Sequence, residues 1–224
     1  MKQITISTLL LLIVQNVFGQ VAIIQDADGW TYLRKGPNKN AKIIQKIEAD
    51  QVFWFDPDFD PKKDNWVQVY LPKNDFGLED CGQDLIEGFI HKSRLRPIEK
   101  IKKYKGRDLS FQYILKPFDL SQRSVDKLNK KWWSKIDGRR FFGTDGTIPK
   151  IEVEDVEVTI SGKPIIIHQI FYADLFECQN SFDIYRVEDT FFIHQWNSDG
   201  AGAYEIVWVI DEHGLQQRLV GTIL

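Results

Sequence analysis

The sequence is poor in the residues from which reactive sites are built. Its 224 residues include only two cysteines and four histidines. His91, His168, His194 and His213 show no His-x-x-x-His spacing, and Cys81 and Cys178 form no Cys-x-x-Cys pair, so no metal-ligand motif is present. Ser198 lacks the Gly-x-Ser-x-Gly elbow of a hydrolase nucleophile. The small-residue loop 197–203 has no phosphate-loop lysine and no helical pattern after it; a wide turn is the plain reading, an anion cradle of backbone N–H groups the sharper one. Charge of one sign is also missing: 29 Lys and Arg face 32 Asp and Glu, a net charge of −3. Nucleic acid is therefore not the expected partner, because phosphate binding needs clustered cations. These absences leave no catalytic residue, metal or cofactor to nominate. The chain reads as a binding protein more readily than as an enzyme.

Long apolar runs are missing too. The most apolar stretch, Leu9-Leu10-Leu11-Leu12-Ile13-Val14, is far shorter than the roughly 20 residues a membrane helix requires, so no stable membrane span is expected. With Lys2 before it and Val17-Phe18-Gly19 after it, the run has the form of a secretory signal peptide over residues 1–19. Cleavage after Gly19 would leave Gln20 as the new N-terminus. No cysteine stands at that cut, which argues against a lipoprotein anchor. The expected location is outside the cytoplasm, periplasmic or secreted. In that setting Cys81 and Cys178 form a candidate disulfide, with two separate thiols as the alternative.

What the sequence does have is aromatics, 7 Trp, 15 Phe and 7 Tyr, and short β-type runs. Over 20–98 such runs occur at 21–24, 43–47, 52–55, 66–71 and 88–91, divided by Asp28-Gly29, Gly36-Pro37-Asn38, Asp56-Pro57 and Pro72-Lys73-Asn74-Asp75. This spacing predicts a small β-barrel. A basic linker, 99–107, carries Lys100, Lys102, Lys103, Lys105 and Arg107. Residues 108–224 read as an α+β domain of unknown function. One helix over 119–135 is predicted from Val125, Leu128 and Trp132, with Asp119 or Ser121 as cap. An antiparallel sheet is predicted around it, with hairpins at Ser161-Gly162, Glu188-Asp189 and 211–214 and a bulge near Glu154-Asp155. The fold class expected is mainly β: an SH3-like β-barrel, then an α+β domain with an antiparallel sheet and one main helix.

The run Gly29-Trp30-Thr31-Tyr32-Leu33-Arg34-Lys35-Gly36-Pro37-Asn38, continuing to Ile43-Ile44, resembles the signature of bacterial SH3-like domains. Trp66-Val67-Gln68-Val69 and Gly88-Phe89-Ile90-His91 resemble its closing strands, and Ser93-Arg94-Leu95 its terminal turn. The resemblance covers about 80 residues; Tyr32 stands where Asn is usual, and residues 71–84 form a long insertion. It implies a module that binds cell-wall peptides and glycans or proteins. The residues nominated for ligand binding are Trp30, Tyr32, Trp54 and Trp66, at least two of which are expected in the core, and Arg34 is read as structural. Exported cell-wall peptidases join such a module to a papain-like domain whose nucleophile follows an Asp, as Cys81 follows Asp80, but here no helix pattern follows Cys81. Farther on, residues 142–149 and 197–204 resemble short motifs of an uncharacterised secreted bacterial family, which implies no activity.

The function expected is therefore an exported, non-catalytic binding protein of the bacterial envelope. Its partner is a cell-wall peptide or glycan or a protein ligand. Two alternatives stand beside it: an immunity- or inhibitor-type protein with a specific protein partner, and a hydrolase in the C-terminal part. The last needs the Asp-Gly loops at Asp145 and Asp199 to meet, since acid–base work requires two carboxylates in one place.

Overall fold

The structure, a computed structural model, describes residues 20–78, 85–129, 131–198 and 200–221. The expected signal peptide 1–19, Cys81 with the candidate disulfide to Cys178, and Asp199 lie outside the described residues. Strands dominate. The first group is β1 (Gln20–Ile24), β2 (Trp30–Arg34), β3 (Ile43–Glu48), β4 (Phe53–Phe55), β5 (Trp66–Pro72), β6 (Leu85–His91) and β7 (Leu95–Pro97). Then come β8 (Leu109–Pro117), β9 (Val125–Lys127), β10 (Trp133–Ile136), β11 (Ile151–Ile160) and β12 (Lys163–Ile165). The last are β13 (Asp183–Val187), β14 (Thr190–Asn197), β15 (Tyr204–Asp211) and β16 (Gly214–Gly221).

The N-terminal strands form one antiparallel sheet in the order β3-β2-β6-β5-β4-β1-β7. It is not the closed barrel that the spacing predicts: β3 and β7 are free edges, not partners. The sheet has two apolar faces, which explains why closure is not needed. In β1 and β4, Ala22, Ile24, Phe53 and Phe55 turn into the N-terminal sheet's own core beside Leu33, Ile47, Val67, Val69, Leu71 and Ile90. Their neighbours Val21, Ile23, Val52 and Trp54 face the other way, into a second core. That second core is completed by Ile98 and Ile101 from the connector and by Tyr185, Phe192, Val207, Val209 and Leu219 from the C-terminal strands.

The sheet β13-β14-β15-β16 thus lies in the middle of a three-layer stack. Tyr204, Ile206, Trp208 and Ile210 point from β15 to the opposite side, against Phe111, Tyr113, Val153, Val156, Val158 and Ile160 of the sheet β12-β11-β8. Side chains alternate faces along a strand, so a strand covered on both faces reads as an unbroken apolar run. Every residue from Tyr204 to Ile210 is buried. The connector 99–107 is part of this packing: Tyr104 donates its amide to the Ile184 carbonyl at 2.7 Å and sets its ring on Phe191, while Lys103 pairs with Asp183 at 2.6 Å.

The helix predicted over 119–135 is absent, and among the described residues only three-residue 3-10 turns interrupt the strands. Asp119 does cap, accepting from the Ser121 amide at 2.8 Å, but it caps one such turn. Beyond it β9 and β10 make a hairpin. Asn129 turns the chain by accepting from the amides of Lys131 and Trp132 at 2.9 and 3.1 Å, local turn chemistry that competes with a helix. The base of the hairpin is held by Asp137, which accepts from the Ser124 amide at 2.9 Å and pairs with Arg123 at 2.6 Å; Arg123 also bridges to Glu152. Trp133 is buried with Ile136, Phe141 and Phe176, whereas Leu128 is 75% exposed. The expected hairpins at Ser161-Gly162, Glu188-Asp189 and 211–214 are all present, and β11 shifts register between Val153 and Asp155.

The hairpin and the helix make opposite forecasts for Leu128. Leu128→Ala is expected to change unfolding free energy by no more than about 0.5 kcal/mol in urea titration, as for an exposed side chain. A loss of about 2–5 kcal/mol would mean that Leu128 sits in a buried stripe after all.

Candidate binding groove

The outward side of the N-terminal sheet carries a cluster of rings. Trp30 and Tyr32 are two apart on β2 and so share a face; their rings meet edge to face at 4.7 Å. Trp66 of β5 is directly opposite His91 of β6, with ring centroids 5.5 Å apart. Their chain neighbours Leu33, Val67 and Ile90 are in the core, so the alternation that buries those three turns the rings of Tyr32, Trp66 and His91 outward. Gly88 brings β2 and β6 together. A side chain there would begin 2.7 Å from Leu33 and 2.8 Å from the Arg34 carbonyl oxygen.

These rings line a groove of about 250 Å³ together with Asp26, Asp28, Thr31, Arg34, Lys39 and Arg94. Arg94 pairs with Asp26 across it. Lys46 lies over the Trp30 ring at 4.8 Å, a contact that contributes about 0.5–1 kcal/mol at an exposed site. Arg34 is structural, because it donates to the Ala41 carbonyl at 2.9 Å and so pins the loop after β2. The groove therefore offers aromatic faces next to both signs of charge. It can hold an extended polar ligand by stacking and hydrogen bonding. On its wall His91 is fixed by Ser93, whose hydroxyl lies 2.9 Å from Nδ1 and whose amide donates to the same nitrogen at 3.3 Å.

Three of the four aromatic residues nominated from the sequence, Trp30, Tyr32 and Trp66, meet in this groove. Trp54 does not. It is 3% exposed in the core between the sheets, and its indole N–H donates to Glu205 Oε2 at 2.9 Å. The other Glu205 oxygen is 2.7 Å from His194 Nε2. Burial is the main reason the Glu205 carboxyl titrates above its usual range, and the contacts with His194 and Trp54 only partly offset it. Gln217 fastens the same seam, accepting from the Val52 amide at 2.7 Å and donating to its carbonyl at 2.9 Å. His91, Asp26 and Arg94 are groove residues not nominated from the sequence, although His91 and Arg94 fall within the matched closing strand and terminal turn. The pairing of the strands at Trp66 and Gly88 is the signal that places His91 there.

The loops at Asp145 and Gly200 do converge. Ser198 donates to the Gly143 carbonyl at 2.7 Å, and the Gly202 backbone lies so close to Thr144 that a side chain would begin 2.8 Å from it. They border a pocket of about 330 Å³ with Thr147, Lys150 and Glu177. Among its described lining residues there is no imidazole, and Glu177 Oε1 is occupied by the amides of Lys150 and Ile151 at 2.5 and 3.3 Å. Cys178 is buried, 2.9 Å from the Tyr204 hydroxyl, and burial pushes its thiol up to about 12. Such a thiol is a core group and not a nucleophile. Among the described residues no three His, Cys, Asp or Glu side chains gather as metal ligands. No helix there is long and apolar enough to cross a membrane.

Compared with known proteins, the chain matches no family model, no curated protein and no solved structure.

Two measurements check this chemistry. In a Cys81→Ser protein, Cys178 is expected to stay unmodified by Ellman's reagent at pH 8 until denaturant is added; prompt reaction of the native form would refute its burial. Because the folded pKa of Glu205 is raised, its contribution to stability is fully present below its ordinary value of 4.5 and is lost as pH rises through the folded value. From pH 4 to pH 7, wild type is therefore expected to lose stability relative to Glu205→Gln in urea unfolding, and parallel curves would contradict the shift.

Proposed function

We propose that the chain is an exported, non-catalytic binding protein of the bacterial envelope, whose SH3-like N-terminal part engages a cell-wall peptide or glycan through the groove at Trp30, Tyr32, Trp66 and His91. The observation that carries this reading is the ring cluster itself. Two positions two apart on β2 and one cross-strand pair turn large aromatic side chains to the solvent side of a sheet whose inner face is already filled by apolar residues. Aromatic faces with charged neighbours suit a ligand that is part apolar ring and part hydrogen-bonding backbone. The signal-peptide pattern at 1–19 and the resemblance at 29–44 supply the setting. A non-catalytic role agrees with how the titratable groups are used: Glu205 and Asp174 are held by partners inside the fold, and the thiol of Cys178 is in the core.

Sedimentation with purified cell-wall sacculi tests the proposal. Wild type is expected to co-sediment, and Trp30→Ala to weaken binding by about tenfold or more, since an aromatic anchor at the centre of an interface contributes about 2 kcal/mol. Ile166→Ala, on an exposed side chain outside the groove, is expected to bind as wild type does. Failure of the wild type to co-sediment, or unchanged binding by Trp30→Ala, would overturn the reading.

A further inference from the structure

Beside the aromatic groove, and sharing Asp26 and Arg94 with it, is a larger cavity of about 530 Å³. One wall is the end of β1 with Gln25, Ala27 and Gly29, together with Arg96 of β7 and the turn Ala49-Asp50. The opposite wall is Val187-Glu188, at the tip of the β13–β14 hairpin. Both parts of the chain therefore build it.

Three of its charged side chains are left uncompensated. Arg94 is taken by Asp26. Arg96, half-buried on the edge strand, has no ion pair or side-chain hydrogen bond among the described residues. Nor do the carboxylates of Asp50 and Glu188. Burial raises the Asp50 pKa above its ordinary value, and the negative fields of Glu188 and Asp211 raise it further, the behaviour of a carboxyl group with like-charged neighbours and no cation. Asp211 is itself engaged, accepting from the His213 amide and from Gln216 at 2.7 and 2.9 Å. A simple anion drawn to Arg96 would meet two carboxylates. A simple cation drawn to Asp50 and Glu188 would meet the uncompensated guanidinium of Arg96. Only a ligand with both charges answers Arg96 and the two carboxylates together.

We propose that this cavity binds a dipolar ligand, an amino acid or the end of a short peptide, with its carboxylate at Arg96 and its ammonium group between Asp50 and Glu188. The assignment is independent of what the aromatic groove holds. The probe is the dipeptide alanyl-lysine, added to the full mature chain labelled with nitrogen-15. Saturable shifts are expected at the amides of Ala27, Gly29, Ala49, Asp50 and Glu188, with the indole N–H signals of Trp30 and Trp66 unmoved. Arg96→Gln and Asp50→Asn, whose spectra otherwise report an intact fold, are each expected to weaken binding by about tenfold, as for loss of one charge-assisted hydrogen bond. The C-terminal amide of the same dipeptide is expected to bind about tenfold more weakly to the wild type. The proposal is overturned by the absence of saturable shifts at those amides, by shifts confined to the two indoles, or by equal binding of dipeptide and amide. A failure here leaves co-sedimentation with sacculi, and its loss on Trp30→Ala, as a separate result.

Discussion

The structure depends on one strand being buried on both sides. From Tyr204 to Ile210, β15 is buried throughout, and its two faces belong to two different cores. Full burial of one large aliphatic or aromatic side chain contributes about 1.5–3 kcal/mol. A single strand that fills two cores therefore does what a lone hairpin cannot. It requires a layer on each side. The sheet β12-β11-β8 is one, and the outer faces of β1 and β4 are the other. Residues far apart in sequence are thereby joined in one packing unit: Val52 and Trp54 touch the same apolar cluster as Val207 and Leu219.

Such a sheet has no solvent side on which to leave its polar side chains, and burying them without partners is costly. Most of those on β14, β15 and β16 accordingly have partners, with Asn197 Oδ1 and Arg218 Nε left without one. Gln195 donates to the Ser181 carbonyl at 3.0 Å and accepts from Asn197 at 2.8 Å. Gln217 joins both backbone groups of Val52, as a neighbouring strand would. Arg218 is fully buried; it pairs with Asp174 at 2.6 Å and donates to the Phe76 carbonyl at 3.0 Å, so it ties the segment after β5 to the central sheet. Removing one partner of such a pair typically costs about 3–5 kcal/mol, because an uncompensated charge stays inside. The polar residues at these seams serve orientation between layers, and the ring cluster of the N-terminal sheet is left at the surface.

Much of this is legible where period and turn chemistry agree. Trp66-Val67-Gln68-Val69 alternates as a half-buried strand does, and the structure buries Val67 and Val69 while turning Trp66 outward. Ser161-Gly162 and Glu188-Asp189 sit at hairpin turns with positive φ at Ser161, Gly162 and Glu188, and the slip of alternation at Glu154-Asp155 marks a real change of register. The helix is not legible because Val125, Leu128 and Trp132 match a helical spacing by coincidence, while Asn129 carries a turn signal worth more than the periodicity of three side chains. The barrel fails for a different reason. Strand spacing fixes how many strands there are and roughly where they turn, but closure depends on whether the last edge meets the first, and that is decided by what covers the outer faces of β1 and β4. Trp54 follows from the same cause: within Val52-Phe53-Trp54-Phe55 nothing local says which face meets solvent, and here neither does.

The same covering layer explains why the cavity between the layers is invisible in the sequence. Arg96 and Asp50 belong to one part of the chain and Glu188 to another, and each alone reads as a solvated charge. They face one space only because β15 holds the N-terminal sheet against the C-terminal one, which brings the tip of the β13–β14 hairpin over the edge of β7. The apolar faces fix the distance between the layers, and the charged residues at the margin take whatever space that distance leaves. A cavity formed in this way is lined by side chains that were not positioned to pair with one another. That is why Arg96 and the two carboxylates remain without counterions among the described residues, and why a ligand with both charges is better matched to the space than these side chains are to one another.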